Sequence, residues 1–168
     1  MRDRPREIIP EQIIATLRQH APAIFGGRGI DAVYVYGSVA TGLAHSFSDV
    51  DIALLVNGEK ATLPPAERLK LELDIELLIA DRCDIDCAEV RIINDAPITF
   101  RGQVATQGIR LYSENEEHRI EFETMAWKEY FDYQYYEQMM SKAFWTRLQK
   151  RLEENGVPTK SREHAWQS

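Results

Sequence analysis

The sequence predicts an α/β fold in which a small mixed β-sheet is flanked by helices and followed by a long helical extension. Short runs rich in β-branched residues alternate with stretches whose apolar residues recur at steps of three and four. Residues 114–155 then contain no proline or glycine. The chain has 168 residues, which suits one domain with a substantial core and an appended helix.

The first half of the chain predicts one helix and two strands. Pro10 suits a first helical turn and is followed by apolar residues at helical spacing, so we expect a helix that ends near Pro22. Residues 33–36 form a short β run, and residues 50–56 form a second. The pair Asn57-Gly58 marks a turn after the second strand.

The next part predicts the remainder of the sheet. Pro64-Pro65 can start a helix that carries Leu69, Leu73, Leu77 and Ala80 at steps of three and four. Residues 85–93 are a third strand candidate, residues 99–107 a short helix and residues 109–112 a fourth strand. Together these elements give a small sheet with helices on its faces.

The long helix predicted after the sheet has two apolar stripes. The first comprises Phe122, Ala126, Tyr130, Tyr133, Met140, Phe144 and Leu148. The second comprises Trp127, Phe131, Tyr135 and Met139. A helix that is apolar on two faces must cover two surfaces. We expect one to be the sheet, and the other to be either more core, reached by a bend in the helix, or a partner. Residues 1–112 would form the core domain, 113–156 the helical extension and 157–168 a disordered tail.

Composition and charge exclude several classes of protein. The net charge is −7 and the isoelectric point is about 5.2, which argues against stable binding to nucleic acid or to an anionic membrane. No apolar run approaches the roughly 20 residues of a membrane span. Residues 1–12 lack the apolar segment of a signal peptide, and Cys83 and Cys87 are the only cysteines. We therefore expect a cytoplasmic protein with free thiols.

One stretch, "VYVYGSVATGLAHSFSDVDIALLV" from Val33 to Val56, carries the candidate chemistry. Asp49 and Asp51 point the same way in a strand, where they repel each other unless a cation lies between them. Oxygen ligands suit Mg²⁺, particularly where phosphates complete its shell. Gly37-Ser38 leaves a strand at a turn, where exposed N–H groups and a hydroxyl can cradle an anion. Together the two features would hold a nucleoside triphosphate.

These residues resemble the signature of the polymerase-β-like nucleotidyltransferase superfamily. Gly37-Ser38 is followed by ten residues and then by Asp49-Val50-Asp51, and Ala40, Gly42 and Ser48 also fit. The segment "RIINDAPITFRGQVATQGIRLY" is similar to the corresponding part of minimal nucleotidyltransferases (MNT). The resemblance covers roughly residues 30–112 and implies a nucleotidyltransferase fold. With its long terminal helix, the chain resembles the stand-alone MNT antitoxins that are paired with HEPN toxins.

The resemblance also implies a set of site residues. Asp49, Asp51 and a third acid would bind two Mg²⁺ ions and act in catalysis. Counting back from Asn94 places that acid at Glu89, with Asp86 as the alternative; because their positions differ in parity, they cannot share a face of a regular strand.

The phosphate-binding loop implied by the resemblance departs from the family in one place. Gly37, Ser38 and Thr41 would bind the nucleotide, although many relatives carry arginine where this chain has Thr41. His45 lies in the same loop, and we interpret it as a solvated side chain.

The function implied by the resemblance is Mg²⁺-dependent transfer of AMP from ATP to a tyrosine of a HEPN ribonuclease toxin. The protein would be its antitoxin, in a possible hetero-oligomer. A second hypothesis is a non-catalytic antitoxin that captures its partner sterically through the aromatic face of the terminal helix. A third, a small-molecule nucleotidyltransferase, is disfavoured because the chain is short for a second substrate domain.

Overall fold

The computed structural model describes residues 9–45 and 48–155, and it confirms the predicted fold class. A four-stranded mixed sheet is flanked by helices and followed by one long helix. The helices are α1 Pro10–Phe25, α2 Gly37–Thr41, α3 Gly58–Ala61, α4 Pro65–Cys83, α5 Ile98–Gln107 and α6 Glu116–Glu154. The strands are β1 Ile30–Val35, β2 Val50–Val56, β3 Ala88–Ile92 and β4 Ile109–Ser113. The chain divides into two compact units, the first ending at Tyr130 and the second beginning at Phe131.

The strand order is β3-β2-β1-β4. β1 is antiparallel to both β2 and β4, whereas β2 and β3 are parallel. The parallel pair is joined by a crossover that contains α3 and α4, because parallel neighbours cannot be linked by a tight turn. β3 is therefore an edge strand, and its pairing with β2 fixes which side chains of the two strands stand beside each other.

Each face of the sheet packs on its own pair of helices. One buried cluster joins the sheet to α1 and α4, and its members include Leu17, Ile24, Val35, Ile52, Leu54, Ile75 and Ile79. The other joins the opposite face to α5 and the start of α6 through Ala32, Tyr34, Ala53, Leu55, Ile93, Val104, Phe122 and Ala126. Strand alternation produces this two-sided burial, since successive side chains point to opposite faces.

The first helix is longer than predicted. It continues through Pro22 to Phe25, although proline removes a backbone donor and disfavours a helix interior. The last turn carries Ile24 and Phe25, which are fully buried, and the N–H of Gly26 donates to the Pro22 carbonyl at 3.1 Å. Burial of these two large side chains outweighs the local preference for stopping at Pro22.

The third strand is shorter than predicted. α4 extends to Cys83 and ends at Asp84, which has a left-handed φ of 57°. A turn at Asp86 then precedes the strand, which begins at Ala88. The β-branched Ile85 suggested an earlier start, but the chain needs residues 84–87 to reverse direction after the helix.

The leucines of α4 form an exposed stripe rather than the buried face. Leu69, Leu73 and Leu77 are 52%, 48% and 69% exposed, whereas Ile75 and Ile79 are fully buried. The helix instead places two glutamates against the edge strand. Its buried face therefore lies about 140° around the helix axis from the leucine stripe, close to the opposite side, which follows from the step of about 100° per residue.

Two glutamates of α4 close the free edge of β3. Glu76 Oε1 accepts the Val90 N–H at 3.0 Å, and Glu72 Oε1 accepts the Ile92 N–H at 2.8 Å. A step of four residues on a helix matches a step of two residues on a strand, because both span about 6 Å. Unpaired edge amides are a template for pairing with another chain, and these contacts satisfy two of them.

The last helix is one continuous element over Glu116–Glu154, and the two predicted alternatives for its second apolar stripe, more core or a partner, stay predictions. In the first unit it buries Phe122 and Ala126. In the second unit its large apolar side chains are exposed, including Tyr136 at 64% and Met140 at 71%. The predicted tail, 157–168, lies outside the described residues. No helix among those residues is long and apolar enough to cross a membrane.

The edge contacts lead to a stability prediction. Replacing both Glu72 and Glu76 with alanine should lower the free energy of unfolding by about 2 kcal/mol, because two backbone donors lose their acceptors. Glutamine at both positions keeps an acceptor oxygen and should cause at most half of that loss. Urea unfolding measures the difference, and equal losses in the two double variants would show that the amide contacts do not matter.

Candidate active site

A row of polar side chains crosses three strands at one end of the sheet. Asp51 of β2 is the register partner of Glu89 of β3. The N–H of Tyr36 donates to the Asp51 carbonyl at 3.0 Å and continues the β1–β2 ladder by one residue. Residues directly opposite each other in a sheet point to the same face. Tyr36, Asp51 and Glu89 therefore share the face that also packs on α5.

Asp51 is at the electrostatic centre of this row. Its pKa is raised above the ordinary value, first by burial and then by the negative charges of Glu89 and Asp49. Asp49 lies just before β2 and is exposed. We call Asp49, Asp51 and Glu89 the carboxylate cluster. Like charges held this close disfavour ionisation of Asp51 unless a cation joins them.

Glu89 is held by an arginine from its own strand. Its Oε1 accepts from Arg91 Nε at 3.0 Å and from an Arg91 terminal nitrogen at 2.6 Å. The two side chains are separated by one residue, so they lie on the same face of β3. The pair is open to solvent, with side chains 45% and 54% exposed for Glu89 and Arg91.

The turn at Gly37 packs its backbone directly against Asp51. Gly37 has a left-handed φ of +66°, and a Cβ at this position would collide with the Asp51 carboxylate. Ser38 follows in the first turn of α2. Thr41 Oγ1 donates to the Gly37 carbonyl at 3.1 Å, so its proton is used within this short helix. Only glycine combines the φ and the close approach required here.

The loop before β2 is fastened on both sides of Asp49. The N–H of Ser48 donates to the His45 carbonyl at 2.8 Å, and Ser48 Oγ accepts the His45 N–H at 2.8 Å. The N–H of Val50 donates to the Cys87 carbonyl at 2.8 Å. These bonds fix the backbone on each side of the first aspartate. Residues 46 and 47 lie outside the described residues.

The structure separates the two candidates for the third acid. Glu89 stands beside Asp51, whereas Asp86 lies in an exposed turn before the strand begins. Glu89 also contributes to the raised pKa of Asp51, and Asp86 is not among its causes. The catalytic role of Glu89 stays a prediction.

Sequence reasoning missed two residues that stand near the carboxylate cluster. Tyr36 packs edge-on against Phe100 with ring centroids 5.0 Å apart. Burial, then the charges of Asp51 and Glu89, raise the pKa of Tyr36 to about 12. Arg91 is the second. Arg91 is two residues after Glu89, so strand alternation alone could have predicted that the two side chains share a face.

The sequence and fold now decide the family. A family model described as "Polymerase beta, Nucleotidyltransferase" matches residues 11–117. The chain belongs to this nucleotidyltransferase family. No curated protein matches it.

Solved structures of toxin–antitoxin complexes share the fold. A crystal structure of a toxin–antitoxin with AMP-PNP is 25% identical, with a TM-score of 0.53, and the match covers 82% of this chain and 98% of that chain. A structure of a tri-AMPylated Shewanella oneidensis HEPN toxin with an MNT antitoxin is 20% identical, with a TM-score of 0.52 and coverage of 81% and 98%. Another Shewanella oneidensis structure is 23% identical, with a TM-score of 0.52 and coverage of 79% and 96%. The two below 25% identity bear on the fold alone.

The carboxylate cluster of this nucleotidyltransferase has the donor chemistry that Mg²⁺ prefers. All of its donors are oxygens, and the raised pKa of Asp51 reflects negative charge that a cation would offset. No group of three His, Cys, Asp or Glu side chains within residues 9–45 and 48–155 converges as a ready metal site. Glu89 is turned to Arg91 instead. The residues fit the ion, provided that this carboxylate changes partner.

The contact of Gly37 with Asp51 generates a prediction. Gly37→Ala should lower the free energy of unfolding by more than about 2 kcal/mol, because it adds both backbone strain and a collision with the carboxylate. Gly42 has a similar φ of +73° with open space around it, so Gly42→Ala should cost only about 1 kcal/mol, from the backbone alone. Gly58→Ala, without positive φ or collision, should be nearly neutral. Equal effects at 37 and 42 in urea unfolding would contradict the collision.

The electrostatics of Asp51 generate another. Below pH 3.8, its ordinary pKa, the carboxyl group is protonated in both states and contributes nothing. As pH rises toward the raised folded pKa, the unfolded chain ionises first, so stability falls across that window. Asp51→Asn should therefore have a higher melting temperature than the native protein at pH 7, with a gain that shrinks toward pH 4.

The matched control has the opposite sign. Hydrogen bonds from Arg68 hold the pKa of Asp95 below its ordinary value, so Asp95→Asn should lower the melting temperature at pH 7. A lower melting temperature for Asp51→Asn at pH 7 would show that the carboxylates are not mutually repulsive.

Proposed function

We propose that this nucleotidyltransferase is the antitoxin of a HEPN/MNT pair and transfers AMP from ATP to a tyrosine of its HEPN partner. The observation that carries the proposal is that Asp51 stands beside Glu89 in the sheet and is also packed against the backbone of the Gly37 turn. A toxin–antitoxin structure with AMP-PNP and an AMPylated HEPN toxin with its MNT antitoxin are among the structural relatives. They motivate the proposal, because in them the same fold occurs with an ATP analogue and beside an AMPylated HEPN toxin; the tyrosine acceptor is part of the proposal itself.

Each site residue has a role in this reaction. Asp49 and Asp51 would hold Mg²⁺ at the triphosphate, and Glu89 would hold a second ion. The backbone of Gly37 and the hydroxyl of Ser38 would contact the leaving phosphates. Thr41 would belong to the nucleotide-binding loop, as the resemblance predicts. Bound Mg²⁺ would offset the negative charge on the α-phosphate and on the departing pyrophosphate.

Each bond that forms or breaks in the proposed transfer involves ATP, the acceptor tyrosine or Glu89. The phenolic oxygen of the acceptor tyrosine forms a bond to the α-phosphorus of ATP. The bond between that phosphorus and the oxygen bridging to the β-phosphate breaks, and pyrophosphate leaves. Glu89 accepts the phenolic proton as its bond to the acceptor oxygen weakens. The product is a tyrosyl–AMP phosphodiester on the partner.

The second unit supplies a surface that suits a protein partner. Within residues 131–155 the helix exposes large aromatic and methionine side chains: Phe131, Tyr133, Tyr135, Tyr136, Met139, Met140, Phe144 and Trp145. Contiguous exposed aromatic and methionine side chains are typical of interface cores. A cytoplasmic hetero-oligomer with the HEPN protein would bury them.

The catalytic proposal predicts transfer of label from α-labelled ATP to the HEPN partner in the presence of Mg²⁺. Replacing both Asp49 and Asp51 with alanine should reduce the rate at least about 100-fold, because charge at the reacting phosphates is no longer offset. Glu89→Gln should also impair transfer, whereas Asp86→Asn should not. Transfer at the native rate by the double aspartate variant would overturn the proposal.

The exposed helical surface favours a second candidate, steric capture without catalysis. Trp127 is unsuitable for testing it, because its indole N–H donates to the Ala105 carbonyl at 2.8 Å within the first unit. Tyr136 and Met140 are more exposed and one turn apart. Capture predicts that alanine at both positions abolishes neutralisation of the toxin's ribonuclease activity, while the double aspartate variant neutralises fully. Catalysis predicts that the aspartate variant fails even though it still binds.

A further inference from the structure

We infer that Arg91 exchanges partners during the catalytic cycle. It holds Glu89 while no metal is bound and contacts the polyphosphate of the nucleotide once a metal takes Glu89. The inference rests on the proposed function and deepens it, because it assigns the phosphate-binding cation that the loop at Thr41 lacks. Arg91 is thus a positioning residue for Glu89 in one state and a substrate contact in the other.

The first observation is the geometry of the pair. Two nitrogens of Arg91 converge on a single oxygen, Glu89 Oε1, at 3.0 and 2.6 Å. Arg91 is the register partner of Ala53, one row behind the pair formed by Asp51 and Glu89. The guanidinium therefore reaches forward along the face of the sheet to the carboxylate row. It occupies one of the two Glu89 oxygens that a metal could use.

The second observation is the strength expected of this contact. More than half of the Arg91 side chain is exposed, at 54%, as is 45% of the Glu89 side chain. Ion pairs this open contribute little to stability, because solvent screens the charges. A divalent cation placed among three carboxylates gains more than that, so it can displace the guanidinium. The pair orders Glu89 without locking it.

The third observation is the distribution of charge in the sequence. No lysine or arginine occurs between Arg28 and Lys60, a stretch that contains the whole of β1, α2 and β2. Among the described residues, Arg91 is the basic side chain that is ion-paired with the carboxylate cluster. A triphosphate bound at the Gly37 turn would find a cation only from outside this stretch. The planar guanidinium of Arg91 suits phosphate oxygens, to which it can donate two hydrogen bonds.

The first experiment measures metal binding without nucleotide. Mn²⁺ binding to the full chain is followed by electron paramagnetic resonance in a double-mutant cycle of Arg91→Gln and Glu89→Gln. Removing the competing guanidinium should tighten Mn²⁺ binding about fivefold when Glu89 is present. With Glu89→Gln in place, the same replacement should change the affinity less than about twofold. Equal tightening in both backgrounds would mean that Arg91 acts as a distant charge, which overturns the inference.

The second experiment measures nucleotide binding with the metal present. The affinity for Mg²⁺ and AMP-PNP should fall about tenfold in Arg91→Gln, because a charge-assisted hydrogen bond to phosphate is lost. Arg91→Lys keeps the charge and should retain most of the affinity. Unchanged nucleotide affinity in Arg91→Gln would overturn the inference that Arg91 contacts the polyphosphate.

The outcomes separate this inference from the proposed function. Absence of Mn²⁺ binding to the native protein, with no difference in Asp49→Ala/Asp51→Ala, would remove the metal site itself. Native metal binding that Arg91 does not influence would overturn only the exchange. Because Arg91 is largely exposed, its variants should unfold at the native temperature, and circular dichroism checks this for Arg91→Gln and Arg91→Lys alike.

Discussion

The parallel register between β2 and β3 is the constraint on which the site depends. It sets Asp51 beside Glu89, while the loop fastened to Cys87 brings Asp49 to the same end of the sheet. A shift of one residue would turn Glu89 to the opposite face and replace it with a neighbouring apolar side chain. The register therefore adds negative charge beside a partly buried carboxyl group, and the pKa of Asp51 is raised first by its burial and then by Glu89 and Asp49. Under the proposed function, a bound cation would offset this local loss of stability.

Contacts along the outer edge of β3 and just after its last residue hold this register. On the outer edge, Glu72 and Glu76 accept the N–H groups of Ile92 and Val90. Beyond the strand, the Asn94 side chain accepts the Val56 N–H at 3.0 Å and donates to the Val56 carbonyl at 2.7 Å. It thus copies the pairing of a further strand residue. A short strand beside repelling carboxylates is kept in place by contacts that lie away from the charges.

Local patterns predicted more of the site than of its support. Strand parity and a glycine turn are properties of adjacent residues, so Asp49, Asp51 and Gly37 could be singled out directly. The choice between Glu89 and Asp86 depends on where β3 begins, which is decided by the end of α4 and by pairing with β2. The same limit applies to the exposed leucines of α4. Their spacing shows that they share one face of the helix, but it does not show that a different face is buried against the sheet. The end of α1 was predicted wrongly because the local preference of Pro22 for ending a helix is outweighed by the burial of Phe25.

The last helix shows why the partner belongs in the physical account. A helix gains most of its stability in a protein from burying an apolar face, and the segment after Tyr130 leaves its large apolar side chains exposed. Burial of one aromatic or methionine side chain contributes about 1.5–3 kcal/mol. Several of them along residues 131–155 represent more free energy than helix propensity supplies over the same length. Folding of this segment and binding of a partner are therefore expected to be coupled. Under the proposed function, that coupling would add specificity, because the segment would fold and bury its apolar side chains only with a partner whose surface matches them.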